Sequence, residues 1–248
     1  MKKYSVFSLI KNGFNKHQDW DVAWRDPEPK KEYDAIIIGG GGHGLATAYY
    51  LAKEYEIKNI AILEKGWIGG GNIGRNTTIL RSNYMHDANN LFYDHGMQMW
   101  KDLSQELNYN VMYSPRGIRN LAHPDAQLNA YARRGNSMRL NGIEASLLGR
   151  EEVRKIIPFA DFTDNARFPI FGGLMQSIGG TARHDAVAWG YARAADDLGV
   201  DIIQHCEVTG FDINNGKIQG VQTSRGSIKG KKIGLCVAGS TSLLAEKL

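Results

Sequence analysis

Asp34-Ala35-Ile36-Ile37-Ile38-Gly39-Gly40-Gly41-Gly42-His43-Gly44 is the stretch on which the fold turns. Its Ala35–Ile38 portion is apolar and mostly β-branched, the composition of a buried parallel strand, and it runs straight into glycines. Leu45, Ala48, Tyr49, Ala52 and Tyr55 then recur at helical spacing. Asn59-Ile60-Ala61-Ile62-Leu63 supplies a second apolar strand that ends at Glu64. Strand, turn, helix and strand together make one βαβ unit.

Gly39, Gly41 and Gly44 fall at the G-x-G-x-x-G spacing, and each has a physical task. The first permits a tight turn, the second lets the backbone approach a pyrophosphate, and the third lets helix and strand pack closely. The helix N-terminus offers unpaired N–H groups and a positive dipole end to the phosphates. Glu64, about 20 residues further on, stands where a carboxylate accepts both hydroxyls of an adenosine ribose. A carboxylate there disfavours a 2′-phosphate and hence NADP.

Working outward, Lys65-Gly66-Trp67-Ile68-Gly69-Gly70-Gly71-Asn72 is a second glycine-rich loop, either an anion-holding nest or a plain connector. Arg75, Thr77, Thr78 and Arg81 follow at once. Helical patterns are expected over 88–107, 124–141 and 150–157, and a hairpin joins Val111–Tyr113 to Ile118–Ala122 around Ser114-Pro115-Arg116-Gly117. This middle region reads as an α+β layer inserted into the nucleotide fold. The nucleotide pattern resumes with a helix over 186–198 and a strand over 200–205. A three-stranded meander is then expected over 207–211, 218–223 and 227–229, followed by a separate apolar strand over 232–239. Upstream, Trp20, Trp24, Pro27 and Pro29 mark an extended arm lying across a surface. Val6, Leu9, Ile10 and Phe14 would form the apolar face of a short helix, packed either on its own domain or on a partner subunit.

The chain has 248 residues, 42% hydrophobic and 23% charged, with a net charge of +4, which is ordinary for a globular protein. The basic residues are scattered apart from Lys30-Lys31 and Lys229–Lys232, read as solvated loops, so nucleic-acid binding is not expected. No apolar run is long enough to span a membrane. The start, Met1-Lys2-Lys3 followed by Tyr4–Ile10, only imitates a secretory leader, because Lys11 interrupts it. Cys206 and Cys236 sit in apolar patterns and read as buried thiols, consistent with a reducing cytoplasm. No metal site is expected.

Several segments carry a family resemblance. They are Gly39–Lys53, Glu64-Lys65-Gly66-Trp67, Gly70-Gly71-Asn72, Arg75-Asn76-Thr77-Thr78-Ile79-Leu80-Arg81-Ser82-Asn83-Tyr84 and Gly180-Thr181-Ala182-Arg183-His184-Asp185-Ala186-Val187-Ala188-Trp189. With the meander and the late Val237-Ala238-Gly239 strand, the chain resembles the FAD-dependent amine oxidases of the D-amino-acid oxidase type. More closely, it resembles the β subunits of heterotetrameric sarcosine oxidases. The match runs over nearly the whole chain but only the earlier part of such a subunit, so the chain is expected to be truncated at Leu248 and not to turn over alone.

The resemblance implies an α/β fold: a Rossmann-like FAD-binding domain, parallel sheet plus three-stranded meander, with an inserted α+β substrate domain. The expected ranges are 1–30 for the arm, 31–110 and 176–248 for the FAD-binding domain, and 111–175 for the substrate domain. It implies non-covalent FAD held around Gly39, Gly41, Gly42, His43, Gly44, Glu64, Lys65, Gly70, Gly71, Asn72, Asn76, Thr77 and Val208. Arg75 either meets the phosphates or braces its loop, and His43 contributes backbone rather than ring. His184 matches the histidine that carries FMN covalently, attacking a methyl carbon of the flavin ring as a neutral imidazole. On its residues alone, His184 reads as a cap or core histidine. Arg81 matches the arginine that grips the substrate carboxylate, a task suited to its bidentate fork. Without the resemblance it reads as a surface arginine closing a salt bridge.

The implied reaction oxidises the N-methyl group of sarcosine. Hydride passes to FAD and electrons to FMN and oxygen, giving hydrogen peroxide, while the methyl carbon leaves to tetrahydrofolate or as formaldehyde. The implied partners are an α subunit with NAD and tetrahydrofolate, and γ and δ subunits. Gly239-Ser240-Thr241 departs from the Gly-His-Ser of many relatives. Alternatives are an oxidase or dehydrogenase for dimethylglycine, glycine or a D-amino acid, an electron-transfer flavoprotein without substrate chemistry, and an NAD-dependent dehydrogenase.

Overall fold

The computed structural model describes residues 5–18, 20, 22–163 and 165–248. In chain order it contains α1 (Val6–Phe14), β1 (Glu32–Ile38), α2 (Gly42–Glu54), β2 (Ile60–Leu63), β3 (Ile79–Leu80), α3 (Asp87–Glu106) and β4 (Ile118–Ala122). There follow α4 (Asp125–Leu140), β5 (Ser146–Gly149), α5 (Arg150–Ile156), β6 (Gly172–Gln176), β7 (Gly180–Thr181) and α6 (His184–Asp197). The last elements are β8 (Asp201–Ile203), β9 (Val208–Asn214), β10 (Lys217–Thr223), β11 (Gly226–Leu235) and α7 (Thr241–Ala245). Contacts divide the chain into two units, one running up to Thr77 and including 105–111 and 184–248, the other holding 78–104 and 112–183.

The first unit is built on a six-stranded sheet in the order β8-β2-β1-β11-β10-β9. β8, β2, β1 and β11 run parallel, and β11, β10 and β9 form an antiparallel meander. The apolar run Ala35–Ile38 lies at the centre, buried on both faces as its composition requires. Ile36 and Ile38 join Leu63, Ile203, Phe211, Val221 and Ile228 in one core cluster, while Ile37 turns towards α2 at Gly44. The parallel sheet plus meander is the fold class expected.

Several local expectations are corrected. The meander's third strand and the apolar strand after it are one ten-residue strand, β11. Its first part pairs with β10 through Thr223↔Gly226 and its later part with β1 through Ala35↔Lys232. Lys229–Lys232 therefore lies in a strand rather than a loop, its lysines project to solvent, and Lys231 Nζ meets Asp34 Oδ1 at 2.6 Å. At the end of α2, Tyr55 is exposed although it fits the helical spacing, because the helix stops at Glu54.

The arm crosses α6 and β8 in the same unit. Trp24 meets Trp189 edge-on, and Arg25 Nε donates to Asp196 at 2.7 Å. Asp201, buried in β8, accepts from Lys30 Nζ at 2.7 Å and from the Tyr33 hydroxyl at 3.1 Å. By contrast, α1 buries none of its residues, and its expected apolar face (Val6, Leu9, Ile10, Phe14) is exposed. Met1–Tyr4, part of the leader-like start, lies outside the described residues. Cys206 is buried and Cys236 half-buried, both as free thiols. Among the described residues no helix is long and apolar enough to cross a membrane.

The second unit holds the antiparallel sheet β4-β6-β5 and the two-stranded β3-β7. Met138 of α4 packs with Ile143, Ala145 and Leu174 in its core. The expected hairpin does not form. Met112 takes a left-handed φ of 54°, Ser114 bridges to Thr181, and β4 pairs instead with β6 some fifty residues downstream.

Candidate active site and cofactor cradle

The glycine turn shows why each glycine is needed. Gly39 sits at φ 104°, and a Cβ there would lie 2.5 Å from the Cys236 carbonyl oxygen. A Cβ on Gly44 would lie 1.9 Å from the Gly39 carbonyl oxygen, so helix and turn touch backbone to backbone. Gly41 is the opposite case: it is the N-cap of α2, and nothing lies within 4 Å of where its Cβ would be. No side chain caps the helix, so its first N–H groups face this open side together with the positive end of the dipole. Gly42 begins the helix and His43 turns its ring outward, leaving only backbone at the turn. This arrangement fits a pyrophosphate.

Glu64 follows β2 and is half-buried. One carboxylate oxygen accepts from Gly40 N–H at 2.8 Å and the other from Gly66 N–H at 2.8 Å. These bonds fix the carboxylate between the two glycine loops and leave lone pairs for ribose hydroxyls. Lys65 is exposed. The second loop is a built turn. Ile68 N–H donates to Gln204 Oε1 at 2.9 Å, a Cβ on Gly70 would strike the Trp67 ring, and Gly71 caps a 3-10 turn from Asn72 to Arg75. Asn76 Nδ2 donates to the Ile73 carbonyl at 2.7 Å, while Arg75 and Thr77 are exposed. Val208 is different in kind: its side chain lies in the sheet's core cluster, so only its backbone is available to a ligand.

His184 is the first residue of α6, half-buried, with Nδ1 buried and without a hydrogen-bond partner among the described residues. It stands inside the helix rather than at the N-cap, and its Nδ1 accepts no backbone N–H among the described residues, while Asp185 Oδ1 accepts the Ala186 N–H at 2.9 Å. An imidazole nitrogen desolvated without a partner is costly, and such a group in a native fold asks for a functional reason. Helices α2 and α6 are held together by Tyr49, Tyr50 and Tyr191, with ring centroids 5.0 to 6.2 Å apart. Burial pushes the Tyr49 phenol up to about 12 and the Tyr191 phenol further. Lys53 Nζ meets Glu106 Oε1 at 2.9 Å beside them, and that bond raises the lysine.

In the second unit, Arg81 directly follows β3. It is half-buried and makes no hydrogen bond or ion pair among the described residues, so the surface salt bridge expected as its bland role is not what holds it. Its Cζ lies over the Tyr84 ring, 5.4 Å from the centroid. The backbone around it is fixed by buried amides. Ser82 N–H donates to Gln176 Oε1 at 3.1 Å, Gln176 Nε2 donates back to Ser82 Oγ, and Asn83 Nδ2 donates to Asn120 Oδ1 at 2.6 Å. Sequence reasoning missed Ser82, Gln176 and Tyr84, because Gln176 meets Ser82 only through the fold.

A chain with this turn, this acid and this sheet has the architecture of a dinucleotide-binding protein, and comparison with known proteins makes it a flavoprotein. The chain belongs to the FAD dependent oxidoreductase family, whose model matches residues 34–248. It is 60% identical over 244 residues to sarcosine oxidase subunit beta of Rhizobium meliloti, covering 98% of this chain and 58% of that protein. It is 50% identical to the protein of the same name from Rhodobacter capsulatus, covering 99% of this chain and 59% of that one. The chain thus spans less than two thirds of the length of these relatives. Among solved structures, L-proline dehydrogenase from P. horikoshii superposes with a TM-score of 0.81 at 24% identity, over 88% of this chain and 56% of that one. Glycine oxidase from Bacillus cereus gives a TM-score of 0.76 at 22% identity, over 86% and 57%. At such identities these two support the fold alone.

Proposed function

We propose that this chain is the flavin-binding catalytic part of a sarcosine oxidase, converting sarcosine to glycine by oxidation of the N-methyl group. The observation that carries the reading is Arg81: a half-buried guanidinium with no anion on it among the described residues, in a chain 60% identical to a sarcosine oxidase β subunit. Such a group is an acceptor site for a small carboxylate, and a two-point grip fixes which end of the amino acid is presented for reaction. FAD, when bound, supplies the hydride acceptor. This chain's part is to seat the FAD pyrophosphate on Gly39–Gly44 and its ribose on Glu64, with Gly70–Asn72, Arg75, Asn76 and Thr77 along the second loop.

His184 is the attachment point for a second, covalent flavin, FMN, and its Nδ1, without a partner among the described residues, supports this role. Oxygen as final acceptor, giving hydrogen peroxide, the methyl carbon passed to tetrahydrofolate or released as formaldehyde, and α, γ and δ partner subunits complete the proposed enzyme. The test is to denature the holoenzyme in acid and weigh its peptides. Flavin mass on the peptide containing His184, with FAD released, is the expected result. FAD release with no covalent flavin would remove FMN from the reading. A holoenzyme not reduced by sarcosine would remove the substrate.

A further inference from the structure

We propose that Tyr84 is a positioning residue for substrate binding, an aromatic platform that holds the Arg81 guanidinium ready for the carboxylate. This rests on the reading of Arg81 given above. A cation over a ring face is attracted by the ring quadrupole without using any N–H donor. The contact at 5.4 Å therefore restrains the guanidinium while leaving its fork for two carboxylate oxygens. An arginine without such support samples many rotamers, and binding must then order it at the expense of affinity.

The platform is itself anchored, and at two points on one helix. Tyr84 N–H donates to Oδ1 of Asn90, a fully buried residue of α3, at 3.0 Å, and also reaches the Ser82 carbonyl at 2.9 Å. Its ring stacks on Tyr93 of the same helix, with centroids 4.4 Å apart and planes 23° from parallel, and Phe92 meets Tyr93 edge-on at 5.4 Å. Arg81, Tyr84 and Tyr93 form a continuous stack that ends on the half-exposed ring of Tyr93 on α3. Tyr84 acts through Arg81 and touches no reacting atom, so its removal weakens carboxylate binding and leaves the chemical step alone.

The experiment uses the assembled holoenzyme, with sarcosine as substrate and acetate as a competitive carboxylate probe. Tyr84→Leu is expected to raise both KM for sarcosine and Ki for acetate by roughly three- to thirty-fold, with kcat changed less than two-fold. Tyr84→Phe, which keeps the ring, restores both constants. Phenylalanines of increasing fluorination at position 84 hold the shape nearly constant while weakening the ring face. They are expected to raise Ki stepwise, which a merely structural role would not produce, and they serve as the test should Tyr84→Leu fail to load flavin. A flat fluorination series, or a Tyr84→Leu enzyme with unchanged Ki, overturns the platform. Arg81→Ala separates the two readings. If it leaves Ki unchanged, the carboxylate role of Arg81 falls; if it raises Ki while the position 84 series stays flat, only the platform falls.

Discussion

Gly44 and Gly41 look alike in the sequence, yet adding one methyl group to each should have opposite consequences. In Gly44→Ala the new Cβ would lie 1.9 Å from the Gly39 carbonyl oxygen, about 1 Å inside the 3.0 Å that real Cβ contacts respect. Both partners are backbone, one in a turn locked by the Gly39 N–H bond to the Leu63 carbonyl at 2.8 Å, so no side chain can rotate away. The helix must move off the strand, and the cost belongs at the upper end of overpacking penalties, about 3 kcal/mol. For a chain of this size that lowers the melting temperature by roughly 6–12 °C. Gly41→Ala meets nothing within 4 Å, and an alanine N-cap in place of glycine costs only about 1 kcal/mol or less. Its methyl group occupies the open side where a pyrophosphate would approach. The pair should therefore separate two properties: Gly44→Ala loses stability and FAD together, while Gly41→Ala melts within roughly 3 °C of the parent yet binds FAD weakly. Thermal melts of flavin-free protein and fluorescence titration with FAD measure both. A Gly44→Ala protein as stable as the parent, or a Gly41→Ala protein with undiminished FAD affinity, refutes the assignment of tasks within the turn.

Glu64→Gln keeps the shape of the side chain but removes the charge that two N–H groups share, and FAD affinity should fall roughly ten-fold or more by equilibrium titration. Asp201→Ala releases Lys30 and the Tyr33 hydroxyl; because Lys30 returns to water, the expected loss is about 2 kcal/mol in a urea titration, with faster proteolysis of the Trp24–Lys30 arm. Burial pushes the Tyr33 phenol up to about 12, and that of Tyr49 likewise, from the ordinary 10.0. The folded state thus holds these protons more tightly than the unfolded one, so the two phenols add no slope to stability between about pH 8 and 9, and stability should fall between about pH 10 and 12. A stability curve level to pH 12 would contradict this. Burial likewise raises the Cys236 thiol, so iodoacetamide should modify it more slowly at pH 8 than a free cysteine, as followed by mass spectrometry.

What could be read from the residues was whatever the chain specifies locally. Ala35–Ile38, the glycine turn and the spacing Leu45, Ala48, Tyr49 and Ala52 speak for themselves because strand, turn and helix are neighbours in sequence. β6 gave no signal, because Gly172 and Gly173 weaken strand propensity. They are needed there because a Cβ at either would run into the carbonyl of Leu148 or Asn120 on the flanking strands. The hairpin at 111–122 failed for a related reason: its apolar residues were read as pairing with each other, while the partner of β4 lay far along the chain. In the candidate site, the glycines and Glu64 were legible from spacing. His184 and Arg81 stood out only through resemblance, since a lone histidine or arginine has no local pattern. The Tyr84–Tyr93 stack was invisible, because nothing in the residue types says which rings will meet.

The double pairing of β11 bears on how the protein comes off the ribosome. β1 is made early, and β2 soon gives it one neighbour, but its other edge is satisfied only when Lys229–Leu235 arrives almost two hundred residues later. Until then a long, flat, apolar edge at the centre of the future sheet has open N–H and C=O groups. Throughout the synthesis of the residues between β1 and β11 that edge stays uncovered, so the yield of folded protein will depend on how fast β11 is delivered and on what shields the edge meanwhile.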